Sequence, residues 1–119
     1  MNTFRVTRVY HDAAGESHFA EDEYPLTDKG AIGSLSEQVQ VKSLIFRTVP
    51  PTYDFDFHNA PQKQFIVLLD GSIEIETSLG EKRVFNAGEV IKVEDTEGKG
   101  HRTRNLIPVT RHSVFITYE

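Results

Sequence analysis

Short stretches of alternating apolar and polar residues run through most of the chain, and none repeats apolar residues at helical spacing. FRVTRVY, residues 4–10, mixes β-branched and aromatic residues and predicts a strand. The acidic stretch 11–24, broken at Gly15, reads as a surface excursion, and Pro25, Gly30 and Gly33 keep residues 25–36 irregular. EQVQVKSLIFRTV, residues 37–49, reads as a strand pair or one long bent strand that stops at the Pro50-Pro51 corner. In YDFDFH, strict alternation puts Tyr53, Phe55 and Phe57 on one face and Asp54, Asp56 and His58 on the other. QFIVLL, residues 64–69, is apolar on both faces, as a strand covered on both sides would be. Asp70-Gly71, Leu79-Gly80-Glu81 and Asn86-Ala87-Gly88 mark turns around SIEIETS, KRVF and EVIKVED. TEGKG is a loop, and HRTRNLIPVT and RHSVFITYE supply the last two strands. Roughly eight to ten short strands with turn chemistry between them predict an all-β sandwich or barrel.

A chain of 119 residues is expected to form one domain, 1–119, with enough buried surface for a core without staples. It has no cysteine, which excludes disulfides and thiolate metal sites and fits a reducing compartment. The N-terminal residues hold no uninterrupted apolar run of the signal-peptide kind, and the longest apolar run, 65–69, is too short to span a bilayer. A cytoplasmic protein is the expectation. The net charge of −5 and the scattered basic residues disfavour nucleic acid as a partner. The G-x-S-x-G pattern of a nucleophile elbow is absent, and no helix pattern follows GKG to make a phosphate loop.

Candidate chemistry gathers at two histidines. His58 stands before an apolar strand, and His101 ends the Gly-rich loop GKGH. Motif-like spacing surrounds both. His58, Gln64 and Gly71 occupy the histidine, glutamate and closing-glycine positions of the pattern G-x5-H-x-H-x3,4-E-x6-G, over about 52–71. Gly88, Gly98, His101 and Asn105 follow G-x5-P-x-G-x2-H-x3-N over about 88–105, with two extra residues. Thr52, Ala60 and Gln64 replace a glycine, the second histidine and the glutamate of the first motif, and Thr96 replaces the proline of the second. On these residues the chain resembles the cupin superfamily, within it a subgroup of small bacterial cupins that keep this His and Gln. The resemblance implies a double-stranded β-helix, the jelly-roll cupin barrel.

It also implies a divalent metal (Fe, Mn, Ni, Co or Zn) inside the barrel, held by His58, Gln64 and His101, with Asp56 as a possible extra ligand. Glutamine is a neutral donor through its amide oxygen, so this set leaves the ion's charge without an anionic ligand. Parity agrees with convergence. Gln64 heads an inward row with Ile66 and Leu68, and His101, Thr103 and Asn105 share one face with Arg102 and Arg104 outside. The alternative is that each histidine is a hydrogen-bonded core or rim residue, Gln64 a structural amide and Asp56 a solvated acid. His11, His18 and His112 read as surface or packing residues, and Lys99 as a loop lysine or an anion contact. Asp54 and Asp56 form a same-face acid pair, a weak hint of split pKa values. Two functions stay open: a metal-dependent enzyme on a small organic molecule, of oxygenase, isomerase or cyclase type, or a barrel that captures a small ligand as sensor or carrier. By analogy with resembling proteins a homodimer is expected, through sheet edges or exchange of FRVTRVY.

Overall fold

A computed structural model describes residues 2–119. Twelve strands follow in chain order: β1 (Thr3–His11), β2 (Ser17–Pro25), β3 (Thr27–Asp28), β4 (Ser34–Leu35), β5 (Ser43–Val49), β6 (Asp54–His58), β7 (Gln64–Leu68), β8 (Ser72–Glu76), β9 (Lys82–Asn86), β10 (Val90–Val93), β11 (His101–Asn105) and β12 (Arg111–Thr117). The fold is all-β. A six-stranded sheet in the order β2-β1-β10-β7-β12-β5 faces a four-stranded sheet in the order β6-β11-β8-β9. From β5 onward every step along the chain crosses between the two sheets, except the β8–β9 hairpin. That winding is a jelly roll. Its core is Val9, Ala60, Leu68, Ile73, Ile75, Phe85, Ile91 and Val93, drawn from both sheets.

Four expectations need correction. Residues 17–25 are a full strand rather than an excursion: β2 pairs residue for residue with β1 around the Gly15 turn. Its acids hid the strand because their partners are cations on other strands: Arg8 on β1, Lys92 on β10 and Arg83 on β9 of the facing sheet. Asp22 meets Arg8 at 3.1 Å and Lys92 at 3.2 Å, and Glu21 meets Arg83 at 2.6 Å. Charge pairing on a sheet face stands in for apolar alternation there. Within 37–49, only Ser43–Val49 forms a ladder, as the edge strand β5. Residues 25–36 hold a small hairpin, β3 with β4, around a 3-10 turn at Gly30–Ile32.

The fourth correction concerns β6. His58 pairs with His101 and Phe55 with Thr103, so three steps on β6 oppose two on β11. One residue is inserted, a bulge that resets the side-chain parity of the strand. Phe55 and His58, placed on opposite faces by strict alternation, lie on the same face with their rings stacked at 3.6 Å.

Two glycines of the TEGKG loop fit it against the barrel by backbone contact. A β-carbon on Gly98 would lie 2.4 Å from the Gly15 carbonyl oxygen, and one on Gly100 would lie 2.1 Å from that of His58. Both have positive φ, 85° and 75°. Lys99 N–H donates to the Gly15 carbonyl at 2.9 Å, and the Ser17 hydroxyl donates to the Gly100 carbonyl at 2.7 Å. The β1–β2 hairpin therefore fastens the loop that delivers His101. Gly98→Ala should lower stability by at least about 2 kcal/mol, since backbone must move and φ is wrong for a β-carbon; urea denaturation of the variant against the parent measures it.

Candidate metal centre and interior cavity

Between the sheets lies a cavity of about 260 Å³, with polar side chains at opposite ends of a mainly apolar wall. His58 and His101 line it from the four-stranded sheet, their ring centroids 4.6 Å apart. Gln64 lines it from β7 of the facing sheet and is almost fully buried. The three residues predicted from sequence thus share one space. Asp56 does not line the cavity, because the bulge leaves its side chain out of phase with His58; its carboxylate accepts the Phe57 N–H at 2.9 Å. Ala60 lines the cavity where the resembling motif has its second histidine.

The hydrogen bonds fix which nitrogen of each ring is free. His58 Nδ1 lies 2.8 Å from the Asp56 carbonyl oxygen, and His101 Nδ1 lies 2.5 Å from Asp95 Oδ2. A carbonyl and a carboxylate only accept, so both Nδ1 atoms carry hydrogen, and in the neutral rings Nε2 keeps the lone pair. Neither Nε2 has a hydrogen-bond partner among the described residues. This is the tautomer that binds metal through Nε2, with Nδ1 held by an outer group. The Gln64 amide likewise makes no hydrogen bond to a described residue. Two ring nitrogens and one side-chain amide are therefore left for an ion. Among the described residues, however, no group of three or more His, Cys, Asp or Glu converges in a way that could hold a metal ion. The donors fit a divalent ion only as a weak, charge-uncompensated set.

Asp95 is a functional candidate missed in the sequence. It is fully buried, and its backbone carbonyl also accepts the Ala60 N–H at 3.1 Å, so it braces the segments carrying both histidines. The signal was parity: in EVIKVED, Asp95 continues the inward phase of Ile91 and Val93. Two arginines were missed for the same reason. Arg47 alternates with Ile45 and Val49, and Arg111 with Ser113 and Phe115; both arginines line the cavity. Arg111 is 2% exposed, and its stem fits over Gly71, where a β-carbon would lie 3.2 Å from Cδ. Burial, with the like charge of Arg47 added, draws the Arg111 pKa below its ordinary value.

The other candidates are engaged elsewhere. Asp54 is held below the usual carboxylate range by its two hydrogen bonds from Arg102, at 3.1 and 2.9 Å, and not by an acid pair with Asp56. Lys99 pairs with Glu16 at 2.7 Å, His18 with Asp12 at 2.6 Å and His112 with Asp70 at 2.7 Å. His11 lies 3.9 Å from Glu97 at the surface loop.

No protein-family profile matches the chain, and no curated protein does. Among solved structures it is similar to a conserved protein of unknown function from Streptococcus pyogenes, 14% identical over 71% of this chain and 69% of that one, with a TM-score of 0.47. It is also similar to a putative ethanolamine utilization protein Q from Salmonella typhimurium, 13% identical over 99% and 98% of the two chains, with a TM-score of 0.32. Likenesses this distant do not bear on function, and the jelly roll rests on strand order alone.

Burial lowers the pKa of His58 from 6.5, and the fields of His101 and Arg47 act in the same direction, against the hydrogen bond to Asp56 and the charge of Asp95. Unfolded, the ring takes its proton near the ordinary value; folded, it waits for lower pH. The unfolded chain thus holds more protons in that window, and acid favours unfolding. The contribution is complete above pH 6.5 and disappears as pH falls through the folded value. Between about pH 7 and pH 5.5, above the carboxylate range, stability of the metal-free protein should fall more steeply in the parent than in His58→Phe. Urea midpoints at both pH values compare the two slopes.

Proposed function

We propose that this protein is a small barrel of the cupin kind that takes a small organic molecule between its sheets, beside a divalent ion held by His58, Gln64 and His101. The observation that carries the reading is the pair of adjacent imidazoles whose Nδ1 atoms are both occupied and whose Nε2 atoms are both free. Core histidines that serve only packing have no reason to present two bare lone pairs to one cavity. When bound, such an ion supplies Lewis acidity and open coordination positions. The chain's own part is to orient two rings through their Nδ1 hydrogen bonds and to keep bulk water from the apolar wall formed by Ile66, Ile73, Ile75 and Val93. A metal-dependent enzyme is the reading this supports. The lack of any acidic ligand favours a second, a barrel that captures its ligand without metal.

Metal analysis of untagged protein separates the two. The enzyme reading expects about one ion per chain, lost in the His58→Ala/His101→Ala double variant, and a rise in melting temperature when Mn, Fe, Co, Ni or Zn is added. Protein that holds no ion and gains nothing from these metals would leave ligand capture alone standing.

The homodimer is also proposed, but not through exchange of FRVTRVY: in this structure β1 is already paired on both sides, with β2 and β10 of its own chain. The six-stranded sheet ends instead at β5, whose Leu44 and Phe46 are 56% and 79% exposed. Bare apolar edge strands attract a second strand. Light scattering after size exclusion should give twice the mass of one chain for the parent and a single-chain mass for Leu44→Lys/Phe46→Lys. Among the described residues no helix is long and apolar enough to cross a membrane, and with no cysteine in the chain a cytoplasmic location is part of the proposal.

A further inference from the structure

The end of the cavity away from the histidines carries two guanidinium groups and no acid. Arg47 and Arg111 stand on adjacent strands: Ser113 pairs with Arg47 and Arg111 with Val49, so the two arginines are diagonal neighbours on one face. No residue lining the cavity is Asp or Glu, in a chain whose net charge is −5. Neither arginine is in a salt bridge among the described residues. The acid whose field acts on Arg111 is Asp70, whose two oxygens are taken by the N–H and Nδ1 of His112, each at 2.7 Å. Arg111 donates from Nε to Asn105 Oδ1 at 2.8 Å, and its Nη2 is sealed from solvent with no acceptor. A buried charged donor without an acceptor costs stability, and so does a like charge beside it. An anion brought into the cavity beside the two like charges would offset their repulsion.

Aromatic rings connect this end to the other. Arg47 lies over Phe115 and Tyr53, at 4.8 and 5.0 Å from the ring centres, and Arg111 lies over Tyr53 at 5.4 Å. Tyr53 meets Phe55 edge-on at 6.3 Å, and Phe55 stacks on His58. The wall therefore passes from cation to aromatic surface to neutral imidazole. We propose that the ligand of this cavity is a small carboxylic acid, its carboxylate held by the fork of Arg47 beside the charge of Arg111 and its body laid along Tyr53 and Phe55 toward the two histidines. Arg47 donates to no described residue, and a free arginine fork matches a carboxylate in two parallel hydrogen bonds. The inference rests on the reading that the cavity takes a small organic molecule, and not on the metal.

The test uses full-length protein stripped with a chelator, and benzoate and hexanoate against their neutral isosteres benzamide and hexanamide. The carboxylates should raise the melting temperature and bind by calorimetry, while the amides should do neither. Arg47→Met and Arg111→Met should each weaken carboxylate binding by at least about tenfold; if Arg111→Met fails to fold, Arg47→Met carries the comparison. Carboxylate binding by the chelator-stripped protein separates this proposal from the metal site. Equal response to acid and amide, unchanged affinity in Arg47→Met, or carboxylate binding that occurs only after metal is added would each overturn it.

Discussion

The site depends on the bulged pairing of β6 with β11. A regular ladder would leave His58 on the face opposite Phe55 and hence outside the cavity. The one extra residue between Phe55 and His58 turns the ring inward and sets it across from His101. The bulge is held by close backbone contact: Gly100 has room for no side chain because the His58 carbonyl occupies that space. Bulges near functional sites redirect side chains in this manner elsewhere. Here Gly100 directly precedes His101 and the carbonyl it meets is that of His58, so register, loop and site are one arrangement.

Around that contact the protein separates its charges. The outside carries the acids, largely in ion pairs such as Asp54 with Arg102 and Glu74 with Arg104. Surface pairs of this kind contribute little each. Inside, the cavity has guanidinium cations at one end and two imidazoles at the other, and Asp95 stands behind His101 rather than in the cavity. Low-dielectric surroundings magnify such an imbalance. An interior of this sign is poorly suited to holding a divalent cation alone and well suited to holding an anion, or a cation with an anion beside it. Gln64 in place of a carboxylate and the uncompensated Arg111 are two sides of the same electrostatic design.

Much of this was legible before folding. Alternation and turn residues identified the strands from β5 on, because those strands bury one face and their hydrophobic period survives in the sequence. It failed at β2, where acids answer cations on neighbouring strands, and at residues 37–42, where alternation exists without a ladder. The motif spacing placed His58, Gln64 and His101 around one space, but parity misread Asp56, since a bulge leaves no mark in a strictly alternating stretch. Asp95, Arg47 and Arg111 did leave a mark, each a charged residue in an apolar phase, which is a signal of a buried function or a buried partner.

What the sequence determined by itself is local: period, turns, the residue types available and the absence of thiols. These depend on neighbours a few positions apart. Tertiary structure alone decided that two arginines from β5 and β12 stand side by side with no acid, that two imidazoles present bare Nε2 atoms to the same cavity, and that the loop glycines exist for backbone contact rather than flexibility. Each of those depends on which distant strands became neighbours and in what register, and a shift of one residue reverses every side chain's face.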